Sequence, residues 1–182
     1  MVAKETYRII RATVGPWFKA NGFKVLKESF PVYQTRLMEN FVTVKFRCHT
    51  SGWDKYKGSS FCVWFKCDAD TTIDDSPIHL LTRQLTLPER EFIRARQNRI
   101  VSGMPAPPPE HVGSMVQAFA KTFKEPQPYI DWFLKDWQIV GQPYRPEEPI
   151  WFRYLSEDDV RAWTLLVLNH VKSLYGKLAK AA

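Results

Sequence analysis

The sequence is poor in cysteine, with three in 182 residues, and poor in histidine, with four. An odd number of thiols gives no paired disulfide framework, and a chain this long can bury a core without one. Reduced thiols and a cytoplasmic location are therefore expected. No apolar run approaches ~20 residues, which excludes a membrane-spanning helix on hydropathy. Met1-Val2-Ala3-Lys4-Glu5-Thr6 opens without an apolar segment, so no secretory signal is expected. No G-x-S-x-G, H-E-x-x-H, P-loop or dinucleotide fingerprint occurs, and the histidines lie in no motif. There is no internal repeat.

Acid is scarce in one place. Residues 1–67 hold 12 Lys/Arg against 4 Asp/Glu, whereas residues 68–182 hold 14 against 15. The whole excess behind the net charge of +7 thus sits in the first third. A segregated positive surface suits an anionic partner, and net charge also keeps a protein soluble.

Apolar spacing at Tyr7, Ile10, Val14, Trp17 and Phe18 predicts a helix over 4–21. Gly15-Pro16 either kinks it or starts a second short helix, and Asn21-Gly22 stops it. Val32–Leu37, Phe41–His49 and Ser60–Cys67 are rich in β-branched and aromatic residues and joined by short polar connections. They predict an antiparallel meander, with a further short strand near Phe23–Lys27. Thr86-Leu-Pro-Glu89 is a capping box that starts a helix over 87–101. Gly103–Pro109 is a stiff connector. Helices follow over 110–123 and 129–137, a Pro-rich connector over 142–149, and an extended segment over 150–155. Ser156 with Glu157, Asp158 and Asp159 starts a final helix to about Leu178, whose wide apolar face signals burial. Together these make a single α+β domain over residues 1–182. It has an N-terminal helix, an antiparallel sheet of three to five strands, helices packed on one face and a long C-terminal helix.

In plan, the chain resembles uncharacterised bacterial families classed as domains of unknown function. Asn21-Gly22-Phe23-Lys24 carries the likeness, together with Trp151-Phe152-Arg153-Tyr154 and Glu157-Asp158-Asp159-Val160. The resemblance covers most of the chain and implies no activity.

Cys67-Asp68-Ala69-Asp70-Thr71-Thr72 after an apolar strand resembles the first motif of haloacid-dehalogenase-type phosphatases. There, one Asp attacks phosphorus and the next is acid/base beside magnesium. The likeness implies a small metal-dependent phosphoryl hydrolase using Asp68 and Asp70. Such a site needs the end of a parallel strand, whereas this strand reads as part of a meander, so Asp68 and Asp70 are expected to be non-catalytic. As an EF-hand loop the stretch fails, because Ile73 replaces the needed Gly and His79 the needed Glu. Lys57 to Trp64 partly resembles the RNA-recognition octamer, but Ser59 removes one stacking aromatic. Cys48, His49, Cys62 and Cys67 count to four zinc ligands. Alternation nevertheless points Cys48 away from His49, and Cys62 away from Cys67, so no metal and no cofactor is expected. His170 falls on or beside the apolar face of the last helix and suits a satisfied core histidine.

Alternation sorts Val42, Val44, Phe46 and Cys48, with Phe61, Val63, Phe65 and Cys67, onto a core face. The opposite face gathers Arg36, Lys45, Arg47 and Lys66 around Trp64. Cations hold phosphates and an exposed Trp stacks a base, so this face is the candidate anion or nucleic-acid site if no helix lies over it. On the 87–101 helix, Glu89 and Arg96 fall within the apolar arc and form a candidate pocket. The expectation is a non-catalytic binding module or accessory subunit, whose basic face docks nucleic acid or an acidic protein. A role in a larger bacterial system such as phage defence fits that class.

Overall fold

The three strands expected between Val32 and Cys67 form, and two more complete the sheet. The computed structural model describes residues 1–49, 53–56, 58–72, 75–105, 107–128, 130–131 and 150–181. The connector expected over 142–149 lies outside them, as does the helix expected over 129–137 apart from Ile130 and Asp131.

Helix α1 spans Ala3–Ala20. It runs unbroken through Pro16, so no second helix starts there. Asn21 then receives the last turn and Gly22 takes φ +76°, the left-handed conformation that glycine tolerates. Strands β1 (Lys24–Val25), β2 (Val32–Leu37), β3 (Asn40–Cys48) and β4 (Ser59–Asp68) follow as a meander. Two single 3₁₀ turns, Pro77–His79 and Leu81–Arg83, lead to α2 (Leu87–Ser102). After the proline connector come α3 (Pro109–Thr122), β5 (Phe152–Tyr154) and α4 (Glu157–Ala181). The sheet order is β1-β2-β3-β4-β5, antiparallel throughout. The fold is α+β, with a long C-terminal helix.

Both long helices cover one face. Val14 and Phe18 of α1 and Val160, Trp163, Val167 and Val171 of α4 join Tyr33, Val44, Phe46, Phe61, Val63 and Phe152 in one buried cluster. Arg8 meets Glu157 at 3.6 Å near the helix starts, and Trp17 meets Tyr175 at 6.0 Å near their ends. The two helices therefore run in the same direction. Phe18 stacks on Tyr33 at 4.1 Å and 7°. Ile93 anchors α2 in the same core.

Polar groups within this core are paired. Gln97, fully buried, donates to Trp151 O at 2.6 Å and accepts from Arg153 N at 3.0 Å. It so satisfies backbone groups of the β5 segment that would otherwise lie buried and unpaired. Trp163 Nε1 donates to Arg153 O at 2.8 Å. Gly58 sits at φ +64°, where an added Cβ would fall 2.1 Å from Tyr154 O; only glycine lets β5 approach this turn. Among the described residues, no helix is long and apolar enough to cross a membrane.

Candidate anion-binding face

The strand register sets the composition of the outer sheet face. Lys24 pairs with Gln34, Gln34 with Thr43 and Thr43 with Lys66. The next row runs Val32, Lys45 and Trp64, and a third runs Arg36, Phe41 and Asp68. Alternate residues share a face, so Arg36, Lys45, Arg47, Trp64 and Lys66 all lie on this side, as their spacing requires.

Exposure departs from the sequence expectation. Trp64 retains only 7% of its surface, Lys45 2% and Lys66 5%. The cover is the segment after β4 rather than a helix. Leu80 forms a backbone bridge to Trp64 and packs with Trp64 and Cys62, while Trp151 closes the side. Trp64 is therefore no open stacking plate. Its ring instead carries the Lys45 ammonium at 4.3 Å, a desolvated cation–π contact. Its Nε1 has no hydrogen-bond acceptor among the described residues.

The same segment brings the acids. Asp75 Oδ1 accepts from Lys45 Nζ at 2.6 Å, and its other oxygen accepts from Arg47. Lys66 Nζ lies 3.3 Å from both Asp68 and Asp70 and donates to Thr72 O at 3.2 Å. A buried ammonium costs several kcal/mol unless paired, so this pairing is a condition of the burial. Burial alone would raise the Asp75 carboxyl, but hydrogen bonds from Lys45 and Arg47 outweigh it and hold it below the usual carboxylate range. The Asp70 carboxyl falls to about 2, chiefly through hydrogen bonds from the Thr72 hydroxyl and backbone N–H.

Asp68 and Asp70 stand at the end of an antiparallel strand, without the crevice of a doubly wound sheet. Asp68 Oδ1 accepts from Asp70 N, and Asp70 Oδ1 from Thr72 N, each at 3.0 Å. These bonds shape a turn that holds Lys66. Ile73 and Lys57, weighed in the motifs above, lie outside the described residues.

The β1–β2–β3 end of the face differs. A groove of about 420 Å³ is lined by Lys24, Gln34, Arg36 and Phe41, with Gly22 and Thr35 at its edge. The Arg36 side chain keeps 62% of its surface. Its guanidinium donates to Met38 O at 2.9 Å and to Glu39 at 3.1 Å, and Glu39 is itself 90% exposed. Arg47 stays half exposed beside Asp75.

Glu89 and Arg96 do not meet as expected. Glu89 reaches back to Thr86 N at 2.8 Å, as the capping box requires, and lies 3.3 Å from His170 Nδ1. The two line a depression of about 570 Å³ with Phe92 and Leu166. Arg96 instead lies 4.9 Å over Trp163. Hence His170 is a paired, part-exposed residue rather than a core one.

The thiols fall as alternation requires: Cys48 and Cys67 on the core side, Cys62 outside. Burial pushes the Cys62 and Cys48 thiols up, away from a nucleophilic thiolate. Cys48 sits in a small polar network, with its N–H on Tyr7 OH at 3.0 Å and Thr6 on Tyr154 OH at 3.0 Å. Among the described residues, no three His, Cys, Asp or Glu side chains converge for a metal.

Sequence reasoning passed over four residues. Asp75 lies in an irregular segment where no period assigns a side. Lys24 lies on a strand of two residues, too short for alternation. Asp54 and His111, 2.7 Å apart, tie the Trp53–Gly58 turn to α3. A usable signal did exist, because Asp68, Asp70, Asp74 and Asp75 follow directly on the most basic stretch of the chain. Comparisons with protein-family models, with curated proteins and with solved structures find no match.

Proposed function

We propose that the protein is a non-catalytic binding module, which docks an anionic partner on the open end of its outer sheet face. The partner is nucleic acid or an acidic protein. The observation that carries this reading is the contrast between the two ends of one face. At the covered end, carboxylates of the chain's own Asp68, Asp70 and Asp75 meet Lys45, Arg47 and Lys66. At the open end, Lys24 and Arg36 line a groove with Gln34 and Phe41, and the acid that meets Arg36 there is the solvated Glu39. The face thus takes oxyanions in cis where it is covered and offers the same chemistry in trans where it is open. Gln34 and Thr35 add hydrogen-bonding groups, and the half-exposed Phe41 adds an aromatic surface.

Salt dependence tests the reading. Affinity for a single-stranded oligonucleotide should fall with salt, with a slope of about −0.7 per phosphate neutralised. Lys24→Ala and Arg36→Ala should each reduce that slope by roughly one contact, irrespective of base sequence. An acidic partner protein would show the same loss with both variants and no oligonucleotide binding. If neither an oligonucleotide nor an acidic polypeptide binds in a salt-sensitive way while both variants stay folded, the reading fails.

A further inference from the structure

The last turns of α4 face the 3₁₀ turns across a second depression, on the core side of the sheet and apart from the anion-binding face. It measures about 560 Å³. Phe65, Leu174 and Leu178 form its walls, and the Cys67 side chain contributes to them. Leu174, Leu178 and Cys67 only partly enter the buried core. Ile78 stands at the mouth with 66% of its surface exposed, among the largest apolar exposures in the chain. A concavity with apolar walls and a few polar groups at its rim has the form of a small-ligand site.

The polar lining is one-sided. Lys177, His79 and Gln84 border the depression, and no acid among the described residues does. Neither the Lys177 nor the His79 side chain has an ion pair or hydrogen bond to a described residue; Lys177 acts only at longer range, on Glu89. The Cys67 thiol is pushed up by burial and by Asp68, so it stays protonated and serves as apolar wall. The volume matches a small ligand rather than a macromolecular segment. An apolar floor with an ammonium and an imidazole at its mouth suits a molecule with an apolar tail and an anionic head.

We propose that this depression binds a small amphiphilic carboxylate, its tail against Phe65, Leu174 and Leu178 and its head at Lys177 and His79. The carboxylate accepts hydrogen bonds from the ammonium and the ring N–H. The tail covers the apolar surface that the fold leaves to water at Ile78 and Leu178.

The experiment titrates the full chain with decanoate below its micelle concentration, read by ¹H–¹⁵N amide shifts. Decanol and decyltrimethylammonium are titrated in parallel. Saturable shifts are expected at Cys67, Ile78, His79, Leu174 and Lys177, with decanoate roughly ten-fold tighter than decyltrimethylammonium. Lys177→Glu should reverse the preference between the two charged ligands. Ile78→Glu, at an exposed position, should weaken decanoate by roughly ten-fold without lowering the melting temperature. Equal affinity for all three ligands would reduce the depression to an unselective apolar patch and overturn the proposal. Shifts centred elsewhere, no saturable shift, or an unaltered decanoate affinity in Lys177→Glu would overturn it as well.

Discussion

Lys45 shows how little a residue's side of a strand says about its fate. Alternation puts it on the outer face, and there it is, but under a lid of its own chain that holds Asp75 against it. Face membership follows from the two-residue period of a strand, which sequence displays. Cover depends on where an irregular segment returns, and no period encodes that. Two outcomes follow at this scale. Asp75→Asn replaces a charged acceptor of the buried Lys45 ammonium with a neutral one. It should cost about 1–2 kcal/mol at neutral pH, less than for a fully buried pair because Asp75 is half exposed. The sign with pH is set by the lowered Asp75 carboxyl. Its contribution is complete above the unfolded value near 4 and is lost as pH falls through the folded value. The gap in urea midpoint between wild type and Asp75→Asn should therefore close in acid. Trp64→Ala should remove a buried ring that touches Lys45 and Leu80, and so cost about 3 kcal/mol in urea denaturation. Oligonucleotide affinity should stay unchanged, whereas an open stacking plate would show the reverse.

The regular elements were legible almost throughout. The starts of α2 and α4 are marked by Thr86 with Glu89 and by Ser156 with Asp159, and both pairs make the local bonds that their spacing implies. The meander follows from short polar connections between alternating runs. Pro16 starts no new helix: a missing N–H and a crowded carbonyl usually interrupt one, yet α1 continues through it, with Val14 and Phe18 on either side buried in the core. Packing of an apolar stripe outweighs one lost hydrogen bond. The β2–β3 connection carries its own strain, since Met38 adopts φ 53° with its side chain exposed. Arg36 holds that turn through Met38 O. Met38→Gly should relieve a left-handed penalty of ~1 kcal/mol, partly offset by glycine's entropy, for a net gain of about 0.5 kcal/mol. Thermal unfolding of the variant checks it, and a lower melting temperature would contradict the strain.

At the scale of the molecule, the charge segregation along the chain is partly an internal arrangement. Acids from just beyond residue 67 fold back onto cations from just before it, so the linear map overstates the positive surface of the sheet. That correction needs tertiary structure and could not come from counting charges. The core is likewise shared: Ile93, Phe152 and Trp163 from the second half pack with Val14, Phe46 and Phe61 from the first. Limited proteolysis in the Gly103–Pro109 connector should thus leave no pair of separately stable fragments. Two folded halves on a sizing column would refute this. The way β5 joins the sheet has a kinetic corollary. Strands β2, β3 and β4 meet neighbours close in the chain, so loop closure costs them little. Phe61 must wait for Phe152, which leaves the ribosome far later. The β4 edge, with Ser59 to Phe61 unpaired, is thus exposed during synthesis, and an edge in that state is open to pairing with another chain. Until Gln97 and β5 arrive to close it, the nascent protein is at its most vulnerable to aggregation.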